Sequence, residues 1–160
     1  PQRFDARALT RDVHSSIASL MEARDQVLKL TVPADPVWIY ADRGRLEQVL
    51  LNLLSNATKF SPDGASILLA LRADAEGTTW SVTDNGRGIG PEDQVHLFER
   101  FFTREAGEVG RNPGAGLGLP IALAIAQAHG GTIVVDSAVG RGSTFTVAIP
   151  RRLTLEADEE

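Results

Sequence analysis

Residues 45–60 read RLEQVLLNLLSNATKF, and the division of labour within this stretch governs how the rest of the chain is read. At about 100° of rotation per residue, Arg45, Gln48, Asn52, Asn56 and Lys59 fall within roughly 40° of Asn52 and form one polar line on a helix. Leu46, Val49, Leu50, Leu53, Leu54, Ala57 and Phe60 take the opposite side and require a core. Glu47 points well away from the Asn52/Asn56 row. A carboxamide offers a neutral carbonyl oxygen and two donors, so a row of them suits a metal or phosphate site better than a purely solvated face does. Taken alone, the same row is also compatible with wet surface.

On either side of this helix the pattern alternates between helical and extended segments. Residues 6–24 place Leu9, Val13, Ile17 and Leu20 at helical spacing, and 27–32 alternate as a half-buried strand. Residues 37–40 form a short strand, with Asp42 as N-cap of the helix that follows. Ser61-Pro62-Asp63-Gly64 is a turn, and strands at 66–71 and 79–83 make a hairpin. Residues 91–113 carry little periodicity and read as a long loop around the apolar cluster Leu97, Phe98, Phe101 and Phe102. A helix over about 117–129, stopped by Gly130-Gly131, precedes strands at 132–136 and 144–149 around the turn Gly140-Arg141-Gly142. Helices grouped with hairpins, rather than strict strand-helix alternation, predict an α+β layered sandwich.

The chain has 160 residues, 42% of them hydrophobic, which suits one compact domain. We expect that domain over 1–152 and an acidic, frayed tail over 153–160. A formal net charge of −5 argues against a nucleic-acid surface, which needs a basic face. Without a single cysteine, disulfides, thiol catalysis and thiolate metal sites are excluded. No spanning apolar run or secretory segment is present, so a cytoplasmic domain is expected. The missing initiator Met suggests a piece of a longer protein.

Three glycine-rich stretches carry the chemistry. Asp84-Asn85-Gly86-Arg87-Gly88-Ile89-Gly90 follows a strand; its glycines permit positive φ and close approach of a ligand to the backbone. An ionised Asp84 is an acceptor only, so at a strand end it can take a donor such as the exocyclic amine of adenine, or simply cap the turn. Gly114-Ala115-Gly116-Leu117-Gly118-Leu119 opens a helix whose free N–H groups and dipole suit phosphate. It lacks the Gly-Lys-Ser/Thr ending of a P-loop and the glycine spacing of a dinucleotide fingerprint. Gly140, Gly142, Ser143 and Thr144 form a third small-residue turn with hydroxyls able to meet a phosphate oxygen.

In this order, an Asn-x-x-x-Asn helix, an Asp-x-Gly-x-Gly turn, a Phe-rich loop and a Gly-x-Gly-x-Gly helix start, the chain resembles the catalytic and ATP-binding domain of two-component sensor histidine kinases, over nearly all of residues 1–150. That group belongs to the wider gyrase, chaperone, histidine-kinase and mismatch-repair ATP-binding fold. The resemblance implies a two-layer Bergerat-type sandwich, a mixed and mostly antiparallel sheet covered on one face by three helices. It implies ATP and magnesium as ligands, with Asn56 giving an oxygen to the metal, Asn52 and Lys59 acting near the phosphates, and Phe60 beside them. Asp84, Gly86, Gly88 and Ile89 would form the adenine box, Phe102 within Phe98-Glu99-Arg100-Phe101-Phe102 would pack a lid, and Gly114, Gly116, Leu117, Gly118 and Leu119 would make the second glycine box. Thr144 would contact phosphate. Relatives often place Arg directly after the aromatic pair; here Thr103 intervenes, leaving Arg104 and Arg111 as rival lid arginines.

The implied activity is transfer of the γ-phosphate to a histidine on a separate dimerisation domain, with a response regulator downstream. The fragment would be a monomer, and the full-length kinase a homodimer with or without a membrane anchor. His14, His96 and His129 lack the setting of such an acceptor. Alternatives sharing the fold are an anti-sigma-type serine kinase, a water-activating conformational ATPase and a nucleotide-sensing module. The ATPase would need a glutamate where Asn52 stands.

Overall fold

A computed structural model describes residues 1–99 and 118–150. The elements run β1 (Gln2–Asp5), α1 (Ala6–Glu22), β2 (Val27–Thr31), β3 (Trp38–Ala41), α2 (Arg43–Phe60), β4 (Ser66–Ala73), β5 (Gly77–Asp84), α3 (Pro91–Gln94), α4 (Gly118–Ala128), β6 (Thr132–Ala138) and β7 (Gly142–Pro150). Five strands form the main sheet in the order β2-β4-β5-β7-β6. Only the β2–β4 pair is parallel; β4–β5, β5–β7 and β6–β7 are antiparallel. The mixed, mostly antiparallel sandwich expected from the sequence is therefore the observed one. Within 91–113, Pro91–Gln94 forms a single helical turn rather than loop, because Pro91 suits a first helical position; residues 100–117 lie outside the described set.

Burial alternates along the central strands with period two, as a half-covered sheet requires. Trp80, Val82 and Asp84 of β5 point inward with Phe145, Val147 and Ile149 of β7. This inner face meets Leu9, Val13 and Ile17 of α1, Leu46, Leu50, Leu53 and Leu54 of α2, and Ala122 and Ala126 of α4 in one core. The opposite face is a lattice of half-buried hydroxyls, with Thr79, Ser81 and Thr83 paired to Ala148, Thr146 and Thr144. Trp80 is fully buried, and its indole N–H donates to Thr10 Oγ1 at 2.8 Å. Thr10 in turn donates to Ala6 O at 2.7 Å, so the largest core side chain has its one polar atom satisfied.

A second, two-stranded sheet of β1 and β3 was not legible in the sequence, because Gln2–Asp5 is too short to show a period. Asp5 anchors it by serving as N-cap of α1. Its carboxylate accepts from the N–H groups of Arg7 and Val37 and from the Arg7 guanidinium. Burial alone would push the Asp5 carboxyl up, but the Arg7 side chain, these two backbone N–H groups and the Arg7 charge together hold it below its ordinary value. A carboxyl with a depressed folded-state pKa stabilises fully above its unfolded pKa, and that contribution fades as pH falls through the folded value. The Asp5→Asn variant should thus be less stable than wild type by about 1 kcal/mol near pH 7. In urea titrations the gap should narrow below about pH 4.

Candidate functional site

The carboxamide row lies on α2, which Asp42 starts by accepting from Arg45 N–H. Its buried side carries Leu46, Val49, Leu50, Leu53, Leu54 and Ala57, as the periodicity requires. Asn52 does more than face solvent. Its Nδ2 donates to Gly118 O at 3.1 Å and ties the start of α4 to the middle of α2. Asn56 is half-buried and makes no side-chain hydrogen bond within the described residues. Lys59 is exposed, and its ammonium lies 5.3 Å from the centre of the Phe60 ring.

The Arg87 guanidinium sits at the same distance from that ring. Lys59, Phe60, Ser61, Pro62, Asn85, Gly86 and Arg87 line an open cavity of about 400 Å³. An aromatic face with two cations beside it, in a chain of net negative charge, suits a flat anionic ligand.

Asp84 closes β5 and is 6% exposed. Its Oδ1 accepts from Gly86 N–H at 2.9 Å, so the carboxylate also shapes the turn that follows. Glycine is required here by the protein itself. A Cβ on Gly86 would stand 2.7 Å from Phe60 O, and one on Gly88, at φ +75°, would stand 1.9 Å from Ala138 O. Gly88 and the 1%-exposed Ile89 therefore pack the loop onto the sheet, and the approach of a ligand is not what excludes a side chain at Gly88. Gly118 is different: among the described residues a Cβ there would meet nothing nearer than Asn52 at 3.9 Å. Leu119, next to it, is buried toward the core.

Thr144 requires a correction. Residues facing each other across a ladder share a side of the sheet, and neighbours along a strand alternate. Asp84 is opposite Ser143, whereas Thr83 is opposite Thr144. Thr144 thus lies on the outer face, its hydroxyl 3.0 Å from that of Thr83. Ser143, 4% exposed, is the hydroxyl beside Asp84. The signal was available in the sequence: inward Phe145, Val147 and Ile149 put position 143 inward by parity. Ser137 on β6 completes a row across three strands, with Ser137 Oγ 2.7 Å from Ser143 Oγ. Phe102, Arg104, Arg111, Gly114, Gly116 and Leu117 lie outside the described residues.

An α2 carboxamide row, a buried acid at the end of β5 and a glycine-shaped turn stand together on one side of a five-stranded mixed sheet. Residues 41–153 match the family described as histidine kinase-, DNA gyrase B-, and HSP90-like ATPase. The chain belongs to this ATPase family. Among curated relatives, the sensor-like histidine kinase SenX3 of Mycobacterium tuberculosis is 41% identical over 122 residues, covering 76% of this chain and 30% of SenX3. The adaptive-response sensory kinase SasA of Synechococcus elongatus is 36% identical over 151 residues, covering 94% of this chain and 38% of SasA. The chain therefore spans well under half the length of these relatives. Among solved structures, a mycobacterial sensor histidine kinase MprB superposes with a TM-score of 0.79 at 28% identity, over 93% of this chain and 97% of that one. The nucleotide-free catalytic domain of histidine kinase ThkA gives 0.80 at 26% identity, over 93% and 95%.

Within this ATPase domain the histidines do structural work. His14 Nε2 is 3.1 Å from Leu28 O, and His96 Nδ1 is 2.8 Å from Glu99 Oε1. His129 Nε2 accepts from Asp42 N–H at 3.3 Å while its Nδ1 faces Ile125 O at 2.9 Å, so the end of α4 is pinned to the start of α2. No helix among the described residues is long and apolar enough to cross a membrane. Nor do the described residues contain a cluster of three or more His, Asp or Glu able to hold a metal.

Proposed function

We propose that this chain binds ATP with magnesium and donates the γ-phosphate to a histidine on a separate dimerisation domain. The observation that carries this reading is the placement of Asp84. It is a nearly buried carboxylate at the end of β5, on the inner face of the sheet, and it shapes the glycine turn that follows. Such a group rejects a ligand edge that is itself an acceptor and selects a donor, which the adenine amine supplies. Phe60 offers an aromatic face, and Lys59 with Arg87 offers positive charge near it.

Magnesium fits this donor set without a carboxylate cage, because the ion retains waters and takes phosphate oxygens, leaving Asn56 to supply one carboxamide oxygen. When bound, the metal would neutralise charge on the phosphates. Gly118, at the start of α4, meets no described atom nearer than Asn52 at 3.9 Å from an added Cβ and would let phosphates approach the helix N-terminus. Asn52 holds α4 in place by its amide and has no carboxylate with which to activate water, so the γ-phosphate is kept for a delivered nucleophile. Arg104 or Arg111 would serve as the lid arginine. Ser143 replaces Thr144 as the hydroxyl of the third glycine turn.

Full-length SenX3 and SasA are named as kinases, and ThkA has been solved in complex with a response regulator. By analogy the partners here are a dimerisation domain bearing the acceptor histidine and a response regulator, within a homodimeric kinase whose catalytic portion, residues 1–152, works in the cytoplasm. The test is phosphotransfer in trans: the 160-residue chain, γ-labelled ATP, magnesium and a purified dimerisation domain. Acid-labile label on the acceptor histidine is the expected result. Stable serine phosphate on the partner, or release of inorganic phosphate at a rate indifferent to the partner, would overturn it.

A further inference from the structure

The turn after Asp84 leaves the sheet, so its backbone polar groups need partners other than a ladder. Two of those partners are the side chains of Ser137 and Gln94. Ile89 N–H donates to Ser137 Oγ at 2.8 Å, and Ile89 O accepts from Gln94 Nε2 at 2.8 Å. The second proton of the Gln94 amide goes to Ser137 O at 3.0 Å. Ser137 Oγ donates to Gly142 O at 2.9 Å. A hydroxyl has one proton, so its contact with Ser143 Oγ is one in which Ser143 donates. The Ser137 hydroxyl is then fully used, one bond given and two received. Arg87 O, midway along the turn, accepts from Gly140 N–H at 2.7 Å and fastens it to the same β6–β7 hairpin.

We infer that Gln94 and Ser137 are positioning residues for the adenine end of the site, clamping both polar groups of Ile89 and so fixing the loop that Asp84 begins. The inference rests on the ATP reading above. One end of the loop is held by the β5–β7 ladder, and at the other end both polar groups of Ile89 are held by this network while Ile89 packs into the core. Releasing the far end lets the loop sample other conformations in the free protein, and binding must then order it. Both side chains act at Ile89, in the turn that Asp84 begins, so the loss falls on the adenosine portion and is indifferent to the γ-phosphate. Because the members share atoms, removing one member undoes the others.

The experiment is calorimetric titration of the full chain with magnesium-ATP and with magnesium-ADP, for wild type, Gln94→Met, Ser137→Ala, Ser137→Thr and the Gln94→Met/Ser137→Ala double variant. Each of Gln94→Met and Ser137→Ala should weaken both nucleotides by the same factor, about tenfold. The double variant should lose little more than either single one, and Ser137→Thr, which keeps the hydroxyl, should restore binding to within about twofold of wild type. Hydrogen exchange gives a ligand-free reading in the same variants: the Ile89 amide should exchange faster while that of Val82 in the β5 core is unchanged. Wild-type affinity in both Gln94→Met and Ser137→Ala would overturn the inference, as would equal loss in Ser137→Thr and Ser137→Ala, or acceleration of Val82 together with Ile89. In those outcomes wild type still binds nucleotide and the ATP reading stands. A wild-type chain that binds neither nucleotide overturns both.

Discussion

Replacing Asp84 by Asn should abolish measurable selectivity for adenine nucleotides while leaving the fold in place. The substitution keeps an oxygen that can accept from Gly86 N–H, so the turn retains its internal bond. What changes is the acceptor-only character of the group, since a carboxamide has lost the negative charge and presents a donor toward the amine of the base. Two donors facing each other at a residue only 6% exposed are costly to bury. A hydrogen bond to a charged acceptor contributes about 1.5–3 kcal/mol, and the orphaned donor adds to the loss, so affinity should fall by about 100-fold or more. Titration calorimetry on wild type and Asp84→Asn measures this, with the thermal midpoint as the control for folding. Wild type should also prefer ATP to GTP by about the same factor, since guanine presents an oxygen where adenine presents its amine. An Asp84→Asn protein that binds ATP as tightly as wild type would remove Asp84 from the site.

The second large effect concerns a residue that contacts no ligand in any reading. Gly142 has φ +78°, and a Cβ there would lie 2.1 Å from Asp84 O and 2.9 Å from Asn85 Cα. Neither neighbour is a flexible side-chain tip; both are backbone, so Gly142→Ala can be accommodated only by separating β7 from the end of β5. We expect a loss of about 3–5 kcal/mol in stability, and a fall of roughly 10 °C in the thermal midpoint. Gly140→Ala isolates the conformational part of that cost. It has φ +83° and no described atom within 4 Å of the added carbon, so its cost should stay near 1 kcal/mol. Equal effects of the two substitutions would show that the close approach to Asp84 is unimportant.

The fold was largely legible because its elements carry strong local signals. The α2 stripe, the Asp42 cap and the alternation in β5 and β7 are each decided by residues close in sequence, and each is where the periodicity puts it. The parallel β2–β4 pairing and the β1–β3 sheet join segments distant in sequence, and no local pattern announces them. The site divides the same way. Asp84, Asn52 and Asn56 stand out by type and spacing, whereas Gln94 and Ser137 look like ordinary polar residues until the β6–β7 hairpin folds against the loop. Ser143 and Thr144 are adjacent hydroxyls of similar chemistry, and only the pleat, with Ser143 opposite Asp84 and Thr144 opposite Thr83, separates them.

The hydroxyl lattice on the outer side of the sheet has a practical consequence. The chain contains no cysteine, and Thr79, Ser81 and Thr146 lie on the side of the sheet away from the helices and the Asp84 turn. A cysteine introduced at Thr79 or Thr146 would be the sole thiol in the molecule, so a dye or spin label could be attached at one known point on the rigid sheet. Paired with a second label on α4, it would serve as a fixed reference against which movement of that helix could be read as a distance.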